Sequence, residues 1–408
     1  KHYPFDQDLV LRSPYARNIA EWKMIVGAQV PDTAIEAILY GTDPAYYLSN
    51  EERLKQRNLF LRRLEPMGKE WIGFIRYAKT CEQLVSRTDP WGFVEHDGPG
   101  IRRAWQEGID RLKQAKDERL RARIAFQLVR LAHYDGGTAP VLDAMPYYNR
   151  HLAPLKGRSW LEGAAAFYLA AGLQNPERDL AFAELFARAP DKQFRMVQLF
   201  DNSRVDEYLN HATREKHRAQ LLVMRSLQHP GRALSDLENI AAWDPANPHL
   251  AQLLGREVNK LEDWLLTPEL TDLGSAIGYW SNMDGVDAAE VYRTDLAYLQ
   301  QVRRFIGQRL ADPRTAQRSV LHMLDGHLCL ISGDVDAAQH SLAQVAASAD
   351  ATPLVRLQAR IDGLLATVLT ERNLSDNGRA ALLDVVEAAR MADADSVNVA
   401  KLLDQLHL

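Results

Sequence analysis

The sequence predicts an all-α fold in which short helix pairs stack into a helical-repeat array. Apolar residues recur at steps of three and four along most of the chain, and Asp287–Leu310 shows this amphipathic period most clearly. Strand signals are lacking in the sequence, because no sustained alternation of β-branched and polar residues occurs. A third observation, an internal repeat, indicates how the helices pair.

The segment His322–Val345 predicts a helix–turn–helix unit. Gly326 is a small residue that lets two antiparallel helices approach closely, and Gly333 breaks the chain between them. Ala338 and Leu342 occupy the small and apolar positions of the second helix. This arrangement is typical of a tetratricopeptide unit. Because such a unit cannot bury its apolar face alone, it predicts stacked neighbours.

The same spacing occurs a second time in the chain. Offsets of zero, four, seven and twelve relate Ala338, Leu342, Val345 and Asp350, and they also relate Ala233, Leu237, Ile240 and Pro245. The two sets lie 105 positions apart, roughly three times the tetratricopeptide period of about 34 residues. Further degenerate units are predicted at Arg123–Leu152 and Trp160–Ala189. The sequence thus predicts a divergent tetratricopeptide-like array, an α-solenoid of antiparallel helix pairs.

Helical periodicity covers most of the remaining chain, with turn signals such as Gly136-Gly137 and Asn175-Pro176 between the periodic segments. The other predicted helices are Glu51–Leu64, Lys69–Val85, Ile101–Lys113, Leu120–Ala132, Trp160–Leu173, Arg178–Ala189, Arg214–Leu227, Ala233–Ala242, Pro248–Leu266, Arg314–Ile331, Asp336–Ala347, Thr352–Leu369, Gly378–Met391 and Ser396–Leu406.

Four regions are predicted along the chain. Residues 1–97, rich in proline and aromatic residues, are interpreted as an N-terminal helical cap or docking segment. Residues 98–271 and 286–408 are predicted to be helical repeats, and the second of these regions is the more tetratricopeptide-like. The stretch 272–285 between them is predicted to be an irregular loop or hinge, because its residues follow no helical period.

Composition excludes several classes of protein. With 46% hydrophobic and 25% charged residues, the chain of 408 residues is typical of a folded protein. With a net charge of −5, no nucleic-acid partner is predicted. The sequence has no run of eighteen apolar residues, so no transmembrane segment is predicted either. The chain begins with Lys1, which is interpreted as a processed or trimmed end, and an export signal is among the segments that such trimming removes.

Local basic residues are predicted to lie on solvated helix faces, because carboxylates alternate with them at helical spacing. The basic residues of this cluster are Arg102, Arg103, Arg111, Lys113, Lys116, Arg119, Arg121 and Arg123. Cys81 and Cys329 lie in apolar helical patterns and are predicted to be buried. The alternative hypothesis is that the neighbouring Lys79 lowers the pKa of the Cys81 thiol.

The sequence contains no catalytic or metal template. It lacks HExxH, CxxC, GxSxG and SxxK motifs, and His322 and His327 are spaced five apart, so they do not share a helix face. The string Asp97-Gly98-Pro99-Gly100 is interpreted as the turn before a helix and not as a phosphate loop. We therefore predict no enzyme, no cofactor, and no catalytic, cofactor-binding or metal-binding residue.

Aromatic residues beside turns are the remaining candidates for a binding site. Trp91, Tyr147, Tyr148 and Trp280 lie at such positions, where exposed rings contact ligands. The competing interpretation is that these rings close the ends of helix pairs.

Several unusual strings together resemble a known group of proteins. They are SPYARNIAEWKMIVG and DTAIEAILYG near the start, FIRYAKTCEQLVSRTDPW around Cys81, RIAFQLVRLAHYDGG, and REVNKLEDWLLTPELT around Trp264. In this order they resemble large, uncharacterised helical-repeat proteins of Bacteroidota. The resemblance runs from about Ser13 to the C-terminus. It implies a tetratricopeptide-like fold and a periplasmic or cell-envelope location, with a lipid anchor on N-terminal residues missing from this chain.

The function that these observations favour is a non-enzymatic scaffold for protein or peptide interaction. An alternative is an envelope protein that binds glycans or small molecules through Trp91, Tyr147, Tyr148 or Trp280. A third hypothesis, an enzyme whose site assembles from distant helices, requires a deep cleft with titratable groups of shifted pKa.

Overall fold

A computed structural model describes residues 15–85, 97–135, 142–267, 288–370 and 375–391. Within these residues all regular elements are helical and no strand occurs, which confirms the all-α prediction. The chain folds into two compact units that divide between Asp201 and Asn202. The region boundaries at residues 97, 271 and 285 stay predictions, and the predicted helix Ser396–Leu406 lies outside the described residues.

The N-terminal unit contains eleven described α-helices, joined in several places by short 3-10 or π turns. They are α1 (Ala16–Val26), α2 (Asp32–Glu36), α3 (Pro44–Arg57), α4 (Leu59–Leu64), α5 (Lys69–Val85), α6 (Gly98–Gln114), α7 (Glu118–Asp135), α8 (Met145–His151), α9 (Trp160–Ala171), α10 (Glu177–Leu185) and α11 (Gln193–Leu199).

Local caps explain where several of these helices begin. The predicted helix Glu51–Leu64 is in fact broken at Asn58, whose side-chain oxygen accepts hydrogen bonds from the backbone N–H groups of Phe60 and Leu61. Such a bond satisfies N–H groups that have no partner in the first turn, so it favours a new helix at this residue. The Asp97 carboxylate likewise accepts from the Gly100 N–H at 2.8 Å, as expected for a turn that starts a helix.

An aromatic cluster forms the core where α1, α4 and α5 meet. The Trp22 ring contacts Phe60 edge-on at 5.2 Å between ring centroids and Trp71 at 5.9 Å. All three rings are buried. Helix α5 packs on α3 and α7, and α7 also packs on α6, α8 and α9. Helix α7 therefore lies at the centre of this unit, and eleven of its 18 residues are buried.

The basic cluster lies mostly on solvated faces, as predicted. Arg111 pairs with Glu107 one turn away at 2.8 Å, and Arg121 pairs with Glu118 at 3.0 Å. Arg123 is the exception, because only 3% of its surface is exposed and no carboxylate of the described residues lies within ion-pair distance. For Arg123 the prediction of a solvated face is wrong: two residues beyond Arg121, the helix has turned this side chain toward the core.

The C-terminal unit contains nine described α-helices. They are α12 (Val205–His211), α13 (Glu215–Gln228), α14 (Leu234–Trp243), α15 (Leu250–Leu265), α16 (Ala288–Ala311), α17 (Arg318–Ile331), α18 (Val335–Ala347), α19 (Pro353–Thr370) and α20 (Asp376–Met391).

The turn between α17 and α18 has the geometry that Gly333-Asp334 predicts. Gly333 has φ +76°, a left-handed conformation that glycine adopts without strain. Its N–H donates to the Leu330 carbonyl, and the Asp334 N–H donates to the Cys329 carbonyl at 2.9 Å, which together cap the end of α17. The Asp334 side chain then accepts from the Ala337 N–H and starts α18.

Helix packing in this unit follows one rule that recurs along the chain. In each run of three consecutive described helices that starts at α13, α15 or α17, all three helices pack on one another. Helix α19 then packs on α20. We call α13, α15, α17 and α19 the first helices, and α14, α16, α18 and α20 the second helices.

Candidate functional site

The aromatic residues considered from the sequence divide into two groups. Trp91 and Trp280 lie outside the described residues. Tyr147 is half-buried and meets the Trp105 ring edge-on at 5.7 Å between centroids. The Tyr148 hydroxyl donates a hydrogen bond to Glu162 at 2.9 Å. Both tyrosines of α8 are therefore held by contacts within the N-terminal unit.

Both cysteines are buried free thiols, as predicted. Burial raises the pKa of Cys81 to about 12 and that of Cys329 to about 12. The Lys79 ammonium, considered as an activator of Cys81, instead donates to the Leu39 and Thr42 carbonyls and pairs with Glu82 at 3.0 Å. A thiolate nucleophile is therefore unfavourable at either position.

A chain of charged side chains links three first helices of the C-terminal unit. The His327 imidazole on α17 lies 3.2 Å from Asp362 on α19 and 3.6 Å from Glu262 on α15. Gln358 donates a further hydrogen bond to Asp362 at 3.0 Å. Hydrogen bonds and charge attraction from the two carboxylates raise the pKa of His327 to about 10 against the opposing effect of burial.

This pKa decides what His327 can do. At neutral pH the imidazole is a cation with both nitrogens protonated, so it cannot accept a proton as a general base. The contacts instead bind α15, α17 and α19 to each other. The spacing of five between His322 and His327 could not predict these contacts of His327, because Glu262 and Asp362 come from other helices.

A second buried network joins α14, α15 and α16. Glu257 accepts hydrogen bonds from the Lys260 ammonium and the Tyr298 hydroxyl, both at 2.5 Å, and from the Ala233 N–H at 3.2 Å. Beside it, Arg232 pairs with Asp295 at 2.6 Å. An open groove of about 350 Å³ passes Arg232 and Tyr298. Because both oxygens of the buried Glu257 carboxylate have donors, the network acts as a structural junction.

Five half-exposed polar residues of two neighbouring first helices are a candidate binding surface. Helix α15 is largely buried, and Gln252, Arg256 and Asn259 are half-exposed at steps of four and three along it. On α17, Arg318 and His322 are likewise half-exposed and one turn apart. We call these five residues the first-helix surface.

No group of three or more histidines, cysteines or carboxylates suited to a metal ion occurs among the described residues. In the same part of the chain, no helix is both long enough and apolar enough to span a membrane. Comparison of the chain with protein-family models, with characterised proteins and with solved structures gave no match.

Proposed function

We propose that the protein is an interaction scaffold in which the C-terminal unit is a tetratricopeptide-like array that binds a peptide segment of a partner protein. In this proposal α13–α20 form four stacked helix pairs. The supporting observation is the recurring packing rule, since each first helix contacts its own second helix and the next first helix. Nearest-neighbour packing of this kind is the organisation of helical-repeat arrays.

The repeated sequence offsets support the same proposal. Ala338, Leu342 and Val345 are buried on α18. Leu237 and Ile240 are buried on α14, and Ala233 is buried at its start. The residues at these offsets are buried in both segments, although Ala233 directly precedes α14 whereas Ala338 lies inside α18.

The first-helix surface is the proposed contact area. Amide, guanidinium and imidazole groups at half-exposed positions can bond a peptide backbone without first losing a buried partner. Arg256 donates a hydrogen bond to the Leu227 carbonyl at 3.1 Å, and the side chains of Gln252, Asn259 and His322 are half-exposed.

The test is a pull-down with the immobilised chain in native salt. Each captured protein is then purified, and its affinity for the chain is measured by titration. We expect the double variant Asn259→Ala and His322→Ala to weaken such binding at least tenfold. The matched control is Asn239→Ala with Gln339→Ala, two exposed amides on second helices, which should bind like the wild type. Equal binding by both double variants contradicts the proposal, and so does a tight small-molecule ligand in the absence of any protein partner.

The location implied by the resemblance remains part of the proposal. Cell fractionation of the native protein, with the compartment read by immunoblot, tests whether it resides in the envelope.

A further inference from the structure

A cavity in the N-terminal unit is lined by cationic and aromatic side chains. It has a volume of about 100 Å³, lies between α1, α5, α7 and α9, and is partly open to solvent. Water needs roughly 10–15 Å³ of such space, so a cavity of this size holds several waters or one small anionic group. Arg123, Gln127 and Arg130 on α7 follow each other at steps of four and three, so they share the helix face that lines the cavity.

Arg123 is a buried cation with no counter-ion within ion-pair distance among the described residues. Its guanidinium carbon lies 3.8 Å from the centroid of the Trp22 ring, and it donates one hydrogen bond to the Asn18 side-chain oxygen at 3.1 Å. Asn18 in turn donates to the Tyr40 hydroxyl at 2.6 Å. Although burial lowers the pKa of Arg123 to about 10, the group is charged at neutral pH.

The nearest carboxylate is already engaged elsewhere. Glu21 on α1 attracts Arg123 electrostatically, but it accepts hydrogen bonds from the Ser159 hydroxyl at 2.9 Å and from the Trp160 backbone N–H. These bonds cap the start of α9. Arg123 therefore retains N–H groups that no carboxylate of the described residues satisfies.

Two further donors at the cavity also lack partners. The Nε–H of Arg130 and the indole N–H of Trp160 are buried and meet no acceptor in the described part of the chain. Arg130 forms no ion pair there either. Lys79 provides the contrast, because Glu82 and two carbonyls satisfy its ammonium. Among the described residues the cavity has one buried acceptor without a partner, the Gln127 side-chain oxygen, so unpartnered donors outnumber it and positive charge is in excess.

We propose that this cavity binds a small organic anion, whose carboxylate or phosphate group is held by Arg123 and Arg130. Water filling the cavity would satisfy the donors but not the two charges, whereas an oxyanion satisfies both. The guanidinium fork matches the paired oxygens of either group. Trp22 and Trp160 line the same cavity and supply apolar surface for the rest of the molecule.

Titration calorimetry of the full chain with inorganic phosphate, phenyl phosphate, acetate and benzoate tests the proposal. We expect at least one of them to bind at millimolar concentration or better, and the phosphate and carboxylate arms separate the two headgroups. Arg123→Met should weaken binding at least tenfold. Arg121→Met is the matched control on the same helix, since Arg121 pairs with Glu118 and does not line the cavity.

Thermal unfolding supplies a second measurement. The bound anion should raise the Tm of the wild type and of Arg121→Met but not that of Arg123→Met. If Arg123→Met does not fold, Arg130→Gln is the variant that tests the proposal, because the Arg130 side chain is only half-buried and its replacement disturbs the core less. The proposal is overturned if none of the four anions binds, or if Arg121→Met loses as much binding as the cavity variants. Because the cavity lies in the N-terminal unit, the outcome of this test is independent of the peptide binding proposed for the C-terminal unit.

Discussion

Gly326 on α17 lies directly against Leu342 on α18, so closely that no side chain fits between the two helices. A β-carbon built on Gly326 would lie 2.8 Å from both Cγ and Cδ2 of Leu342 and 3.4 Å from the Ala338 carbonyl oxygen. Real β-carbons do not approach other atoms to 2.8 Å, so this glycine is required for the distance between the helices. The contact explains why a small residue stands at this position of α17.

The first prediction concerns this contact. Gly326→Ala should lower the free energy of unfolding by about 1–3 kcal/mol, because Leu342 must move out of a packed interface. Gly307→Ala on α16 is the matched control, because the space around the added β-carbon is open to 4 Å. The better helix propensity of alanine should there raise the free energy of unfolding by about 0.5–1 kcal/mol. Urea unfolding measures both, and a stabilised Gly326→Ala would contradict the packing argument.

The second prediction is a pH dependence that originates at His327. Its pKa is raised on folding, from 6.5 to about 10, so the folded state favours the protonated form. The resulting stability is fully present below pH 6.5 and is lost as pH rises toward 10.

We therefore expect His327→Gln to cost about 1.5–3 kcal/mol near neutral pH, the range for hydrogen bonds to charged groups, and to cost progressively less above it. Urea unfolding at several pH values measures this difference. His340→Gln on α18, at an exposed histidine, should leave the profile unchanged. A wild-type and a His327→Gln profile that run parallel would show that His327 does not titrate as described.

The third prediction concerns the junction around Glu257. Glu257→Gln leaves the buried Lys260 ammonium without its counter-ion and should destabilise the protein by about 3–5 kcal/mol. Adding Lys260→Met to Glu257→Gln should recover much of that loss, because the unpaired charge is removed. Thermal unfolding of the single and double variants measures the coupling. Equal stability of both variants would mean that the ion pair is not coupled.

The fourth prediction concerns the two thiols. Because both are buried and their pKa values are raised to about 12, iodoacetamide at pH 8 should alkylate neither in the folded protein and both in urea. Mass spectrometry counts the labels. Rapid alkylation of Cys81 without denaturant would indicate an accessible, activated thiol and would revive the Lys79 hypothesis.

Much of the helical structure could be predicted from local patterns. The prediction Arg214–Leu227 differs from the observed helix Glu215–Gln228 by one residue at each end. The predicted helix Glu51–Leu64 failed at Asn58 because the apolar period continues through the break, while the cap depends on one side chain turning back onto the backbone. Such a hydrogen bond leaves no trace in the periodicity.

The sequence by itself determined the all-α class, the turn at Gly333-Asp334 and the equivalent burial of Ala233 and Ala338, because local propensity and the helical period act over a few residues. Only the tertiary structure decided which polar groups meet. His327 contacts Asp362 on another helix. Arg123, unlike the other basic residues of its cluster, is buried beside Trp22 at the cavity. These contacts depend on how helices stack, which no spacing within one helix encodes.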